Sequence, residues 1–233
     1  MKNKCSAIIL GAGKELDEQY FFTKSPPASL VEDPYGVSVL KWILNAFKTN
    51  NIDKISFVGG YEIQKIGKQF SFLDFIYNAN WRKSGVLESL YHARKSLMGS
   101  VILSYGDIVY TGDVVEKIIN SNPDGITIAY DSKFKVNHSK IGETRKNLVR
   151  INKNLIEEIG FLPIDNTISG EFIGLIYFDS ISINILMEFF KSVYPKLRGK
   201  PFEQAKKIEY AYLTDLLRYL KSKKLPIHGV DIE

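Results

Sequence analysis

Residues 5–13 read Cys5-Ser6-Ala7-Ile8-Ile9-Leu10-Gly11-Ala12-Gly13, and residues 100–107 read Ser100-Val101-Ile102-Leu103-Ser104-Tyr105-Gly106-Asp107. Each is a short apolar run that ends on glycine. A run of this length bounded by turn residues is the pattern of a strand buried on both faces. Between the two, Val39, Leu40, Ile43, Leu44 and Phe47 recur at helical spacing, and Lys54–Val58 reads as a strand ending at Gly59-Gly60. A short helix over Glu62–Gln69, a strand over Asp74–Asn78 and a helix marked by Leu87, Leu90, Tyr91 and Leu97 follow. Beyond Asp107 come a helix over Val114–Ile119 and a strand over Gly125–Tyr130. Strands alternating with helices predict an α/β fold, with a mainly parallel sheet, right-handed crossovers and both faces covered. Ligands of such sheets lie beyond the carboxyl ends of the strands. That directs attention to Gly11–Leu30, Gly59–Tyr61 and Tyr105–Tyr110.

The later chain is less regular. Asp131–Lys146 is polar with little periodicity and reads as an irregular excursion. Leu148–Ile151 and Phe172–Phe178 read as strands, Ser182–Tyr194 and Glu209–Leu220 as helices, and Pro226–Ile232 as a last strand. No linker, repeat or low-complexity tract divides the 233 residues, so one domain over 1–233 is expected.

Composition narrows the function classes. The net charge is +5, and the basic residues are scattered, with the densest groups (Lys196-Arg198-Lys200, Lys206-Lys207, Lys221-Lys223-Lys224) near the end. Such groups read as solvated helix faces, so neither nucleic acid nor membrane is expected as a partner. Cys5 is the single cysteine, which excludes an intramolecular disulfide and a cysteine metal cage. No apolar run is long enough to span a bilayer, and Met1-Lys2-Asn3-Lys4 leads into a strand too short for a signal-peptide core. A cytoplasmic protein is expected.

Several residues have the chemistry of a phosphate site. Gly11-Ala12-Gly13 after a buried strand lets the backbone turn tightly and present N–H groups to a phosphate. It lacks the third glycine of a dinucleotide fingerprint and the Gly-Lys-Ser/Thr ending of a P-loop. Asp107 falls at the carboxyl edge of its strand, where a hard oxygen ligand suits Mg²⁺; the alternative is a turn aspartate bonded to its own backbone. Asp113 reads better as a first-turn helix residue than as a ligand. Lys14 and Lys24 are the basic residues of the first long loop, where a lysine would neutralise charge on a transferred phosphate. Tyr61 and Tyr105, beside glycines at two strand ends, are the aromatics placed to face a ligand. His92, His138 and His228 have no metal-ligand spacing.

In this order the segments resemble the small nucleotidyltransferases that make sugar-nucleotides and cytidylyl-alcohols. Ala7–Gly13 looks like their first strand and nucleotide loop, and Leu30–Phe47 like their loop-to-helix passage. Val58-Gly59-Gly60-Tyr61 looks like the second strand exit, and Asn78–Leu90 like an Asn-rich stretch ending Ser-Leu. Ser104–Ile108 resembles the metal-aspartate segment, Gly170–Gly174 the acceptor-side strand and Tyr212–Asp215 the late helix. The Tyr-Gly-Asp and Gly-Glu-Phe-Ile-Gly forms are most similar to a branch found with phosphoenolpyruvate mutase.

The resemblance implies a Rossmann-like three-layer nucleotidyltransferase domain with a mostly parallel mixed sheet. It implies transfer of a nucleotidyl group, cytidylyl from CTP, to a phosphonate, phosphorylated alcohol or sugar phosphate, with pyrophosphate released. Lys24 or Lys14 would offset charge on the leaving group, and Asp107 would hold Mg²⁺. Leu10, Gly11, Ala12, Gly13, Gly60, Tyr61, Ser89 and Gly106 would contact the nucleotide, and Glu171, Lys153 and Arg145 the acceptor. A homo-oligomer is compatible with it. The chain departs from the family at Ala28, which stands near the expected phosphate lysine, and at Glu233, beyond which members continue into a Trp-x-Glu-Ile-Asp segment. Two alternatives follow from the resemblance: a truncated terminus, or a metal site with a single carboxylate. The alternative function is a nucleotide-binding or regulatory domain of the same fold with impaired catalysis.

Overall fold

The first four apolar runs become β1 (Ser6–Gly11), β2 (Ile55–Gly59), β3 (Asp74–Tyr77) and β4 (Val101–Tyr105), all parallel, with β1 between β2 and β4. The computed structural model describes residues 5–13, 26–121, 125–134 and 146–233. The connecting helices are α1 (Val39–Thr49), α2 (Ile63–Gln69), α3 (Val86–His92) and α4 (Gly112–Ser121). Ser38 caps α1, its hydroxyl accepting from the Lys41 amide at 3.4 Å. Successive side chains of β1 point to opposite faces. Ala7 and Ile9 pack with Leu40, Ile43 and Phe47 of α1, whereas Ile8 and Leu10 pack with Leu87 and Leu90 of α3.

The second half supplies β5 (Ile126–Asp131), β6 (Leu148–Asn152), β7 (Leu155–Gly160), β8 (Gly170–Phe178) and β9 (Ile227–Asp231). Its helices are α5 (Ser180–Glu188), α6 (Tyr194–Leu197) and α7 (Leu213–Ser222), with a π-turn over Phe189–Val193 joining α5 to α6. The nine strands form one mixed sheet in the order β3-β2-β1-β4-β8-β5-β9-β7-β6. The strand β8 runs antiparallel to both β4 and β5, so those two share one direction. The carboxyl ends of β1, β2 and β4 thus form a common rim, as an α/β sheet of this kind requires.

Two local readings change, and one strand has no counterpart in the sequence reading. The helix expected through Leu97 ends at His92 and gives way to a 3₁₀ turn over Ala93–Ser96. The late helix begins at Leu213, and Ile208–Tyr210 forms a separate 3₁₀ turn. Leu155–Gly160, which has no clean alternation, is a strand all the same, because β6 and β7 close on a two-residue turn. Among the described residues no helix is long and apolar enough to cross a membrane.

Candidate active site at the strand ends

The turn after β1 and the turn after β4 touch. Their strands are in register from Ser6 opposite Val101 to Leu10 opposite Tyr105, and the Gly106 amide donates to the Leu10 carbonyl at 3.0 Å. A Cβ at position 106 would lie 2.9 Å from the Gly11 Cα. Glycine is what permits this approach. Asp107, exposed and next along the chain, therefore stands beside Gly11–Gly13.

Two chambers flank this contact, and Leu10, Gly13 and Asp107 line both. The larger, about 240 Å³, extends over Ala12 toward Trp81, Ser89 and Tyr212. The smaller, about 120 Å³, lies toward Ala28 and Ser29. The larger suits a partly enclosed organic group.

A fully buried asparagine organises the wall of the larger chamber. The Asn78 side chain donates to the hydroxyls of Ser89 at 3.0 Å and Ser84 at 3.2 Å, and its Oδ1 accepts from the Asn80 amide at 2.9 Å. Its own amide donates to the Gly59 carbonyl at 2.9 Å, so one residue ties the exit of β2 to the start of α3. Gly60 then passes so close to the Ala12 carbonyl and Trp81 that a Cβ would meet them at 2.7 and 2.5 Å. The Tyr61 amide donates to Ala12, and the Tyr61 and Trp81 rings lie 5.6 Å apart, with the Arg82 guanidinium 4.3 Å over Trp81.

The far wall comes from the second half. Tyr105 packs edge-on to Phe172 of β8, and burial, then the charge of Asp107, push its phenol up, so it stays a protonated donor. Asn147 accepts from the Thr214 hydroxyl on its Oδ1 at 2.9 Å and from the Phe172 amide on its main-chain carbonyl at 2.8 Å. Asp215, buried in the first turn of α7, accepts from the Tyr212 and Gln204 amides at 2.8 Å each. Burial, acting against these bonds, raises its carboxyl above the usual carboxylate range.

The structure brings together Leu10, Ala12, Gly13, Ser89 and Asp107 around the larger chamber, and Gly11 and Gly106 around the smaller. Gly60 and Tyr61 sit behind Ala12 as its support. Glu171 pairs with Lys146 at 3.6 Å, one residue before Phe172, and is outside the chamber linings. Lys153 is not brought to this site. It shares the β6–β7 turn with Asn154, both with positive φ (50° and 67°), and lines a separate groove. Asp113 is in the first turn of α4, as the helix reading expects. Lys14, Lys24 and Arg145 lie outside the described residues. Asn78, Trp81 and Asn147 also contribute to the larger chamber, beyond the residues the sequence singles out. An asparagine directly after a strand was the available signal for the first.

Among the described residues no group of three His, Cys, Asp or Glu side chains forms a metal cage. Asp107 at the mouth of both chambers suits a Mg²⁺ that takes one carboxylate and completes its shell with phosphate oxygens and water.

No protein-family model matches the sequence. The chain is 25% identical over 240 residues to the CTP:phosphoglutamine cytidylyltransferase of Campylobacter jejuni, covering 98% of this chain and 92% of that protein. It superposes on the inositol-1-phosphate CTP transferase of T. maritima with a TM-score of 0.72 at 14% identity, covering 98% of this chain and 85% of that one. For a putative glucose-1-phosphate thymidylyltransferase of Bacillus anthracis the TM-score is 0.73 at 17% identity, covering 98% and 87%. For the CTP:phosphocholine cytidylyltransferase of Streptococcus pneumoniae it is 0.67 at 16% identity, covering 99% and 90%. The chain is thus similar along its whole length to a cytidylyltransferase, and its fold is shared with nucleotidyltransferases.

Proposed function

We propose that the chain transfers a cytidylyl group from CTP to a phosphorylated or phosphonate small molecule and releases pyrophosphate. The observation that carries this reading is the contact between the turns of Gly11 and Gly106, which sets Asp107 at the junction of two chambers. CTP is the donor used by the cytidylyltransferase that this chain matches along its length.

In this reading the nucleoside lies in the larger chamber, over Ala12 and against Ser89, and the phosphates cross Gly11–Gly13 toward the smaller one. Bound to Asp107, Mg²⁺ would supply charge neutralisation to phosphate oxygens. An acceptor phosphate or phosphonate oxygen forms the new bond to the α-phosphorus. The bond from that phosphorus to the bridging oxygen breaks, and pyrophosphate leaves with the electron pair. The attacking oxygen is already anionic, so the protein's part is to align the two groups and no general base is needed. Tyr105, Asn147 and Tyr212 form the wall nearest the acceptor side. Glu171, beside that wall, is assigned to an amine-bearing acceptor, with Arg145 as a phosphate partner and Lys24 or Lys14 at the leaving group.

Ala28 favours a second reading, a nucleotide-binding domain without turnover, because it puts a methyl group in the smaller chamber near the position where a phosphate lysine is expected. Pyrophosphate release, measured with CTP, Mg²⁺ and a panel of phosphorylated and phosphonate acceptors, separates the two. Turnover on any acceptor supports the enzyme. A thermal shift with Mg–CTP but no pyrophosphate on the whole panel supports the binder, and neither signal removes both.

A further inference from the structure

The smaller chamber has one feature that the alignment of turns does not explain. Ser29 lines it, is 2% exposed, and its hydroxyl has no hydrogen-bond partner among the described residues. Its backbone is fixed. Ala28–Leu30 is a 3₁₀ turn closed by Leu30 donating to Pro27 at 2.8 Å and Val31 donating to Ala28 at 3.1 Å, and Val31 in turn accepts from Val39 at the start of α1. A serine hydroxyl held out of water and left unmatched is destabilising, and native proteins rarely keep one without a use.

The rest of the lining says which partner is missing. Apart from Ser29 and Asp107, the described walls are glycine, alanine and leucine, which offer only main-chain polar groups. The Asp107 carboxylate accepts and does not donate when ionised. Ser29 is therefore the sole side-chain donor among the described residues of this chamber. At about 120 Å³ the space admits a phosphoryl group and is half the volume of the larger chamber.

Resting on the function proposed above, we infer that the Ser29 hydroxyl donates a hydrogen bond to a β- or γ-phosphoryl oxygen of the bound nucleotide. It takes part of the binding role that a cation at position 28 would otherwise fill. Serine has a single side-chain torsion with three staggered positions, and the inference requires the one that turns its oxygen toward the chamber.

Calorimetric titration of wild type and Ser29→Ala with Mg–CTP and with CMP tests this, alongside the melting temperature of each free protein. The expected result is Mg–CTP binding weakened roughly 10- to 100-fold, the scale of a hydrogen bond to a charged group. CMP, which lacks the β- and γ-phosphates, binds both proteins equally, and the variant melts no lower than wild type because no partner among the described residues is lost. Equal Mg–CTP affinity in the two proteins overturns the inference and leaves the proposed function standing. So does a variant that melts lower and weakens CMP as much as CTP, since that marks a purely structural serine. Wild type that binds no Mg–CTP removes the proposed function and this inference together.

Discussion

The Gly106 amide and the Leu10 carbonyl meet at 3.0 Å, so the main chain itself holds Asp107 against the turn that follows β1. The contact leaves no room for a side chain, because the nearest neighbours of a new methyl group would be the Gly11 backbone at 2.9 Å and the Leu10 carbonyl at 3.3 Å. Backbone cannot swing aside as a flexible side chain can. Gly106→Ala is expected to destabilise the fold by about 1–3 kcal/mol, the range for forcing a methyl group into packed space, and to weaken Mg–CTP binding. Urea denaturation and calorimetry measure the two effects, and a variant with wild-type stability and affinity contradicts the contact.

Asp107 is exposed at the chamber junction, so its replacement is expected to affect chemistry more than folding. Asp107→Asn keeps the shape and removes the charge that would hold Mg²⁺. Pyrophosphate release is expected to fall on the order of 100- to 1000-fold, the scale for losing one electrostatic stabiliser. The far-UV circular dichroism spectrum is expected to be unchanged. Undiminished turnover at saturating Mg²⁺ would remove Asp107 from the mechanism.

Asn78 acts through others. Asn78→Ala leaves the Ser89 and Ser84 hydroxyls and the Asn80 amide without their shared partner. Loss of about 2 kcal/mol is expected, the penalty scale for unmatched buried polar groups. If Asn78 only positions the chamber wall, KM for CTP rises more than kcat falls. A drop in kcat alone points to a different role.

The raised carboxyl of Asp215 gives a pH dependence with a definite sign. Its folded value lies above its unfolded one because burial disfavours the charge. Between those two values the folded state holds the extra proton, so its contribution to stability is present below the unfolded value and is lost as pH rises through the folded one. The stability of wild type minus that of Asp215→Asn, from urea titrations, is expected to decline as pH rises through this interval. A difference that grows with pH refutes the assignment.

Much of the first half was legible because burial on both faces leaves an unbroken apolar run. Ser6–Gly11 and Val101–Tyr105 carry that mark, and the glycines closing each run place the rim. What the pattern does not encode is direction. Leu175–Phe178 is as buried as β1, yet it runs the other way, since burial is the same for either orientation and only the length and path of the connection decide. Lys153 shows a second limit. The family resemblance implies an acceptor contact for it, whereas the left-handed backbone it shares with Asn154 places it in a hairpin turn away from the chambers. Ser29 shows a third, since nothing in Pro26-Pro27-Ala28-Ser29-Leu30 announces that one hydroxyl is enclosed and unmatched.

The antiparallel β8 is hydrogen-bonded to β4 from Val101 opposite Phe178 to Ser104 opposite Leu175, and Gly174 lies directly against the Tyr105 ring. The strand that leads to Asp107 is therefore stitched to the strand that carries Glu171, with no cleft between these two strands among the described residues. In the proposed function, grip on a substrate therefore falls to the loops and side chains above these hydrogen-bonded strands. In the same reading, choice among acceptors falls to side chains beside that seam, such as Glu171, which can change without rebuilding the strands beneath them.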